Sequence, residues 1–279
     1  VKAAEAHHLG VGPEVVAGNE GVGRVFLLPG STARAERIAA RFGDHRVHES
    51  PRRHDVHTGT FSWEGRQVDI GAVGTGMGCP SLGIIVSELV ALGARRLLRV
   101  GTAGSLQPAH IGAGALVIAT GAVRDEATSD ALAPRELPAV AHPAWVRALG
   151  QAATALGHAD QTFQGLVHAK DCFYGREVAT GPLAAESARY MQVLEAAGVL
   201  ATEMESSHLF ILAQVHGPDL RSLAARGPDP AVLQAGSILA VIGAGEGWAD
   251  PQVAARTEQA AIEVALHAAV ALIHGPHAP

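Results

Sequence analysis

Apolar residues fall along this chain in short blocks that alternate between two periods. VFLLPG (25–30) is an unbroken apolar run stopped by Pro-Gly. STARAERIAARF (31–42) follows with apolar positions every three or four residues, so the pair predicts a strand and then a helix that Ser31 or Thr32 can cap. GTFSWEG (59–65) reads as a strand and turn, and QVDIGAVGTG (67–76) as a strand entering a glycine loop. A helix over 80–93 closes at Gly93, and 95–104 and 115–125 are buried strands. The second half keeps the rhythm: a helix over 142–157, a strand running into a loop over 163–175, a helix over 183–197, and a short extended piece over 199–205. A helix over 206–217 opens on two serines that can cap it, a last strand and turn occupy 237–247, and a long helix spans 257–275. This alternation predicts an α/β fold of three layers, a mixed and largely parallel central sheet flanked by helices. The stretch 217–230, with three prolines and weak periodicity, reads as a surface excursion, and no composition break divides 1–279 into domains.

Composition narrows the class. The chain has 279 residues, 48% hydrophobic and 17% charged, which excludes a disordered tail or a disulfide-stapled miniprotein. Aromatics are only 4%, so Ala, Val, Leu and Ile must build the core. The net charge is -6 and no basic block offers a phosphate-backbone footprint, so no nucleic acid polymer is expected as a partner. Cys79 and Cys172 lack metal-ligand spacing and form no disulfide framework, and no metal is expected. The start, VKAAEAHHLGVGPE, has no apolar core of a signal peptide, and apolar windows end well before the length of a membrane span. A soluble cytoplasmic protein is the expectation.

Ligands of open α/β sheets sit beyond the carboxyl ends of strands, so the turns after strands hold the candidate chemistry. In PGSTAR (29–34), Gly30 allows close approach to the backbone and Arg34 lies one turn into the next helix, which suits an anion. A surface arginine beyond an ordinary glycine turn explains the same residues. GTGMGCPS (74–81) only loosely matches a dinucleotide fingerprint, because Arg95 and Arg96 stand where an acidic residue belongs; it still implies a close backbone approach. Arg99 interrupts the apolar strand LLRVGTAG (97–104), which is costly unless an acceptor awaits the guanidinium. With Arg34 it can form a phosphate clamp, Thr102 adding a hydroxyl and an amide, whereas the structural alternative has Arg99 bonding strand-end carbonyls. In ATEMESS (201–207), Glu203 and Glu205 project to one side if the segment is extended, suiting a pair of sugar hydroxyls better than a metal. Phe173 and Tyr174 suit stacking on a planar base, although aromatics at a strand end also serve as core.

The segments HLG (8–10), LLPGSTARAERIA (27–39), LLRVGTAGSLQP (97–108), VRDEATSDALAPRELPAVAHP (123–143) and GVLATEMES (198–206) occur in an order that resembles the uridine phosphorylase branch of the nucleoside phosphorylase family. The terminal TEQAAIEVALHAAVAL is similar as well, and the resemblance covers nearly the whole chain. It implies phosphate binding by Gly30, Arg34, Arg99 and Thr102, with one more arginine, Arg52 or Arg53, lent by a neighbouring subunit. It implies ribose contacts from Met204 and Glu205, and from His8 across a dimer interface, and it places Phe173 against the base. Arg34, Arg99 and Glu205 would carry catalysis. No cofactor is implied beyond inorganic phosphate as co-substrate. The partners implied are a nucleoside, phosphate and further copies of the chain, as a dimer or a trimer of dimers with shared active sites.

The departures concern the base. The Gln and Arg that read uracil in a Gly-Gln-x-Arg pattern are replaced by GREVATGP (175–182). VIGAGEG (241–247) supplies neither the arginine of the uridine branch nor the aspartate of purine-specific relatives. Near the first turn, the family's Gly-Asp-Pro reads Gly30-Ser31-Thr32. Arg176 and Glu246 are the base-binding candidates left, Arg176 a donor to the leaving base and Glu246 one if it is protonated. The expectation is phosphate-dependent cleavage of a nucleoside to free base and (deoxy)ribose 1-phosphate through an altered base pocket, with uridine served no better than another nucleoside. A nucleosidase using water, and an inactive nucleoside-binding homologue, are the alternatives.

Overall fold

A computed structural model describes residues 6–217, 232–245 and 247–275. Strand β1 (Val25–Leu28) buries all four side chains, Phe26 and Leu28 toward one helical layer and Val25 and Leu27 toward the other, as a central strand must. It lies parallel to β4 (Arg66–Val73) on one side and to the first half of β5 (Arg96–Ser105) on the other. Antiparallel β3 (Val56–Trp63) and β2 (Gly43–His48) extend the sheet from β4 to its edge.

Beyond β5 the sheet closes on itself. β10 (Gln234–Ala244) runs parallel along β5, from Gln234 opposite Arg96 to Gly243 opposite Gly104. It pairs antiparallel with β6 (Leu116–Asp125), which is parallel to β8 (Thr162–Lys170). β8 is parallel to β9 (Ala201–Glu203), and β9 returns to the end of β5 with Thr202 opposite Gly104. β5, β10, β6, β8 and β9 therefore form a ring. Two short strands, β7 (Ala139–Val140) and β11 (Gly247–Trp248), attach to β6 and β10. The sheet is mixed, with five parallel and six antiparallel pairings among the described residues. Three of the antiparallel ones belong to β2, β7 and β11, which carry no apolar alternation for the sequence to display.

Two helical layers cover the sheet. Helices α1 (Thr32–Ala39), α3 (Pro143–Ala155) and α6 (Pro251–His274) bury Ile38, Trp145 and Ile262 on one face. α2 (Cys79–Leu92) and α5 (Ser206–His216) bury Leu82, Ile85 and Phe210 on the other, while α4 (Ala184–Ala196) packs on the turn after β8. Ser31 caps α1 by accepting from the Arg34 amide, and Gly93 ends α2 with a φ of 113°, both as expected. The serines of α5 are not its caps. The Glu203 carboxylate accepts from the amides of Glu205 and Ser206, leaving the Ser206 and Ser207 hydroxyls for Ser237 and Glu126. Helix α6 starts six residues before 257, at an Asp250 cap followed by Pro251. Of the expected excursion, 218–230 lies outside the described residues, and no helix among them is long and apolar enough to cross a membrane.

Candidate active site

A cavity of about 270 Å³ opens where β1, β5, β8, β9 and β10 end. Gly30 and Arg34 line it from the turn and helix after β1, and Arg99 and Thr102 from β5. Phe173, Glu203, Met204 and Glu205 complete the share of the sequence candidates that the fold brings together.

Arg99 is 4% exposed and its guanidinium meets two buried carboxylates. Nε donates to Glu203 Oε2 at 2.8 Å, and Nη2 pairs with Glu205. The two acids flanking Met204 both meet the arginine, although the strand ends at Glu203 and the chain bends at Met204 and Glu205 rather than staying extended. Gly101 makes room for it, since a Cβ there would lie 2.9 Å from Arg99 Nη2. Burial alone pushes the Glu205 carboxyl above its ordinary range; Arg99 opposes that, and the like charge of Glu203 adds to it. The amide of Gly78, at the end of the glycine loop, donates to Glu205. Arg99 Nη1 is buried with no hydrogen-bond partner. An orphaned guanidinium nitrogen beside a cavity is a standing donor for an anion.

Arg34 reaches the same cavity but has its own carboxylate. Nη2 donates to Glu258 Oε1 at 2.9 Å, and Nη1 lies 3.4 Å from the carbonyl of Val100, the residue after Arg99. Burial disfavours the Glu258 charge, yet hydrogen bonds and charge from Arg34 and Arg37 outweigh it, so that carboxyl sits below its ordinary range. The glycine loop closely approaches this first turn, and its Met77 lines the cavity. The Thr75 amide donates to the Pro29 carbonyl, and a Cβ on Gly74 would stand 2.8 Å from the Thr32 nitrogen.

Opposite the arginines the lining includes residues that the sequence reading did not single out. Lys170, at the end of β8, is 1% exposed; Nζ donates to Thr202 Oγ1 at 2.9 Å and to the Glu203 carbonyl at 3.2 Å, and pairs with Glu177 Oε2 at 2.6 Å. Glu177 ends a single π-helical turn, Phe173–Glu177, that follows β8. Trp248, on β11, stacks near Phe173 with ring centroids 6.1 Å apart and 28° between planes. Lys170 was findable by the criterion that found Arg99, a charge closing an apolar strand. Glu177 and Trp248 sit in turns, where no period marks a side chain's direction.

Four candidates stand elsewhere. Arg176 does not line the cavity: Nε and Nη2 donate to Asp125 at 2.6 and 3.1 Å, and its guanidinium lies 4.4 Å from the centre of the Tyr190 ring. His8, Arg52 and Arg53 do not line it either and meet at the turn of Ser50, whose carbonyl accepts from the Arg53 amide. Glu88 accepts from the His8 amide and lies 2.6 Å from its Nδ1, while Ser50 Oγ donates to the His8 carbonyl and accepts from the Arg52 amide. Glu246 lies outside the described residues. Cys79, Glu126 and Asp171 bring ligand atoms within 4.8 Å of one another, a grouping the sequence spacing did not display. Burial and four nearby carboxylates push the Cys79 thiol up, and both acids already accept from Ser129 and Ala127.

Residues 24–272 match the model of a family described as the phosphorylase superfamily. The chain is 41% identical over 201 residues to a uridine phosphorylase of Treponema pallidum, covering 70% of this chain and 73% of that one. It is 33% identical over 253 residues to a uridine phosphorylase of Haemophilus influenzae, covering 88% and 92%. A guanosine phosphorylase of Halorubrum lacusprofundi is 30% identical over 205 residues, covering 74% and 78%.

Proposed function

Because the chain belongs to the phosphorylase superfamily, and within it to the uridine phosphorylase-like branch of nucleoside phosphorylases, we propose that it cleaves a nucleoside with inorganic phosphate. The products are the free base and (deoxy)ribose 1-phosphate. The observation that carries this reading is the buried, unpartnered Nη1 of Arg99 beside a cavity that Arg34 also lines. Phosphate bound there attacks C1' of the sugar as the bond to the base breaks and positive charge spreads over the ring. Arg99 and Arg34 orient the anion and balance its charge, with Gly30 and Thr102 supplying close polar contacts. Glu205 and Met204 hold the sugar, and exchange of Glu205 from Arg99 to the hydroxyls would free more of the guanidinium for phosphate.

His8, Arg52 and Arg53 meet at the turn of Ser50 and none of them lines the cavity of its own subunit, which supports a shared site in which these residues of one subunit complete the cavity of another. A closed symmetric dimer, alone or as part of a trimer of dimers, is the assembly that permits it.

A panel of nucleosides incubated with and without phosphate tests the reading. Pentose 1-phosphate formed only with phosphate is the expected outcome. Free pentose in both arms indicates a nucleosidase, and neither product indicates a binding protein.

A further inference from the structure

The base half of the cavity presents an acceptor where uracil recognition calls for donors. Lys170 is saturated: its three hydrogens meet Thr202 Oγ1, the Glu203 carbonyl and Glu177 Oε2, so it has none left for a ligand. Its effect is to fix the Glu177 carboxylate. The other oxygen, Oε1, accepts no hydrogen bond among the described residues and rests against the bare backbone of Gly104, where a Cβ would stand 2.9 Å away. Phe173 and Trp248 stand on the same cavity as flat apolar walls for a planar ring.

We propose that Glu177, positioned by Lys170, reads the base, and that the site is built for guanine in preference to uracil. This rests on the nucleoside-cleaving reading of the cavity. An ionised carboxylate only accepts, and it binds best where two N–H donors lie side by side. Guanine offers that edge in N1–H and the 2-amino group. Hypoxanthine keeps N1–H and lacks the amino group. Uracil offers a single N–H between two carbonyl oxygens, which would face the carboxylate with like charge. Lys170 is a positioning residue, because it acts through Glu177.

The test compares kcat/KM for guanosine, inosine and uridine on the intact protein at saturating phosphate. Guanosine is expected to lead both, and Glu177→Gln, of the same shape, to lower the guanosine-to-inosine ratio by roughly 10- to 100-fold, the range of a hydrogen bond to a charged group. Lys170→Met should lower the same ratio, whereas lost packing would reduce both rates together. Uridine equal to or above guanosine, or a ratio untouched by Glu177→Gln, overturns the proposal. If no pentose 1-phosphate forms with any nucleoside, the cleavage reading has failed, and calorimetric binding of the same three nucleosides without phosphate still decides this one. Guanosine must then bind more tightly than inosine and uridine, with that difference lost in Glu177→Gln.

Discussion

Arg99 holds two buried carboxylates together, so its replacement has two separable effects. Arg99→Ala leaves Glu203 and Glu205 buried as unpaired like charges, and breaking such a group costs about 3–5 kcal/mol. A lower melting temperature should therefore accompany any loss of turnover. Arg99→Lys keeps the charge and discards the planar fork. It is expected to melt closer to the native protein while KM for phosphate rises about tenfold or more, the scale of one charge-assisted hydrogen bond. Steady-state kinetics against phosphate, run beside thermal denaturation, separates the two effects. The arginine was legible in the sequence because a charge inside LLRVGTAG demands a partner, and so were the acids that flank Met204. Their joint purpose was not legible, since only the closed sheet brings β9 against β5.

Elements follow the hydrophobic pattern wherever burial is two-sided and depart from it at edges. β2, sequence GDHRVH, is an exposed edge strand, and it carries polar residues for the reason that edges do; nothing in its pattern distinguishes it from a loop. The early start of α6 lay in the Asp-Pro pair and not in its periodicity. Packing between elements is close where a strand glycine meets a helix. Gly236 of β10 has the Trp145 side chain of α3 against it, and an added Cβ would lie 2.6 Å from the tryptophan Cβ. Trp145 is fully buried and cannot yield. Gly236→Ala is expected to lower stability by about 1–3 kcal/mol through overpacking, read as a lower denaturant midpoint at unchanged slope.

At the scale of the molecule, acid should loosen the fold in a defined window. Asp125 and Glu258 are half-buried, and burial works against their charges, yet hydrogen bonds from His168 and Arg176 and from Arg34 and Arg37 hold both carboxyls below their ordinary range. Stability from such groups is fully present above the unfolded value, near pH 4, and is lost as pH falls through the lower folded value. Burial also holds His57, His142, His208 and His267 below the ordinary histidine range. Melting temperature should thus begin to slip as pH falls through about 6.5 and fall further below about 4, and Asp125→Asn should make the second fall shallower. Assembly is checked at the same scale: light scattering on dilution should find at least a dimer, and a fully active monomer would rule out a shared site.

Ring closure among β5, β10, β6, β8 and β9 divides the cavity's surroundings by how they are held. Arg99, Thr102 and Glu203 belong to strands bonded into the ring, so a change there disturbs its own foundation. Phe173 and Glu177 occupy one turn at its rim, and Trp248 a two-residue strand that among the described residues pairs with β10 alone. Substrate range can therefore drift by exchange of rim residues at small cost to the barrel, while the anion seat stays where it is. A library confined to 173–178 and 245–249 should yield mostly folded proteins, and altered base preferences should emerge from it more readily than from an equal library in β5.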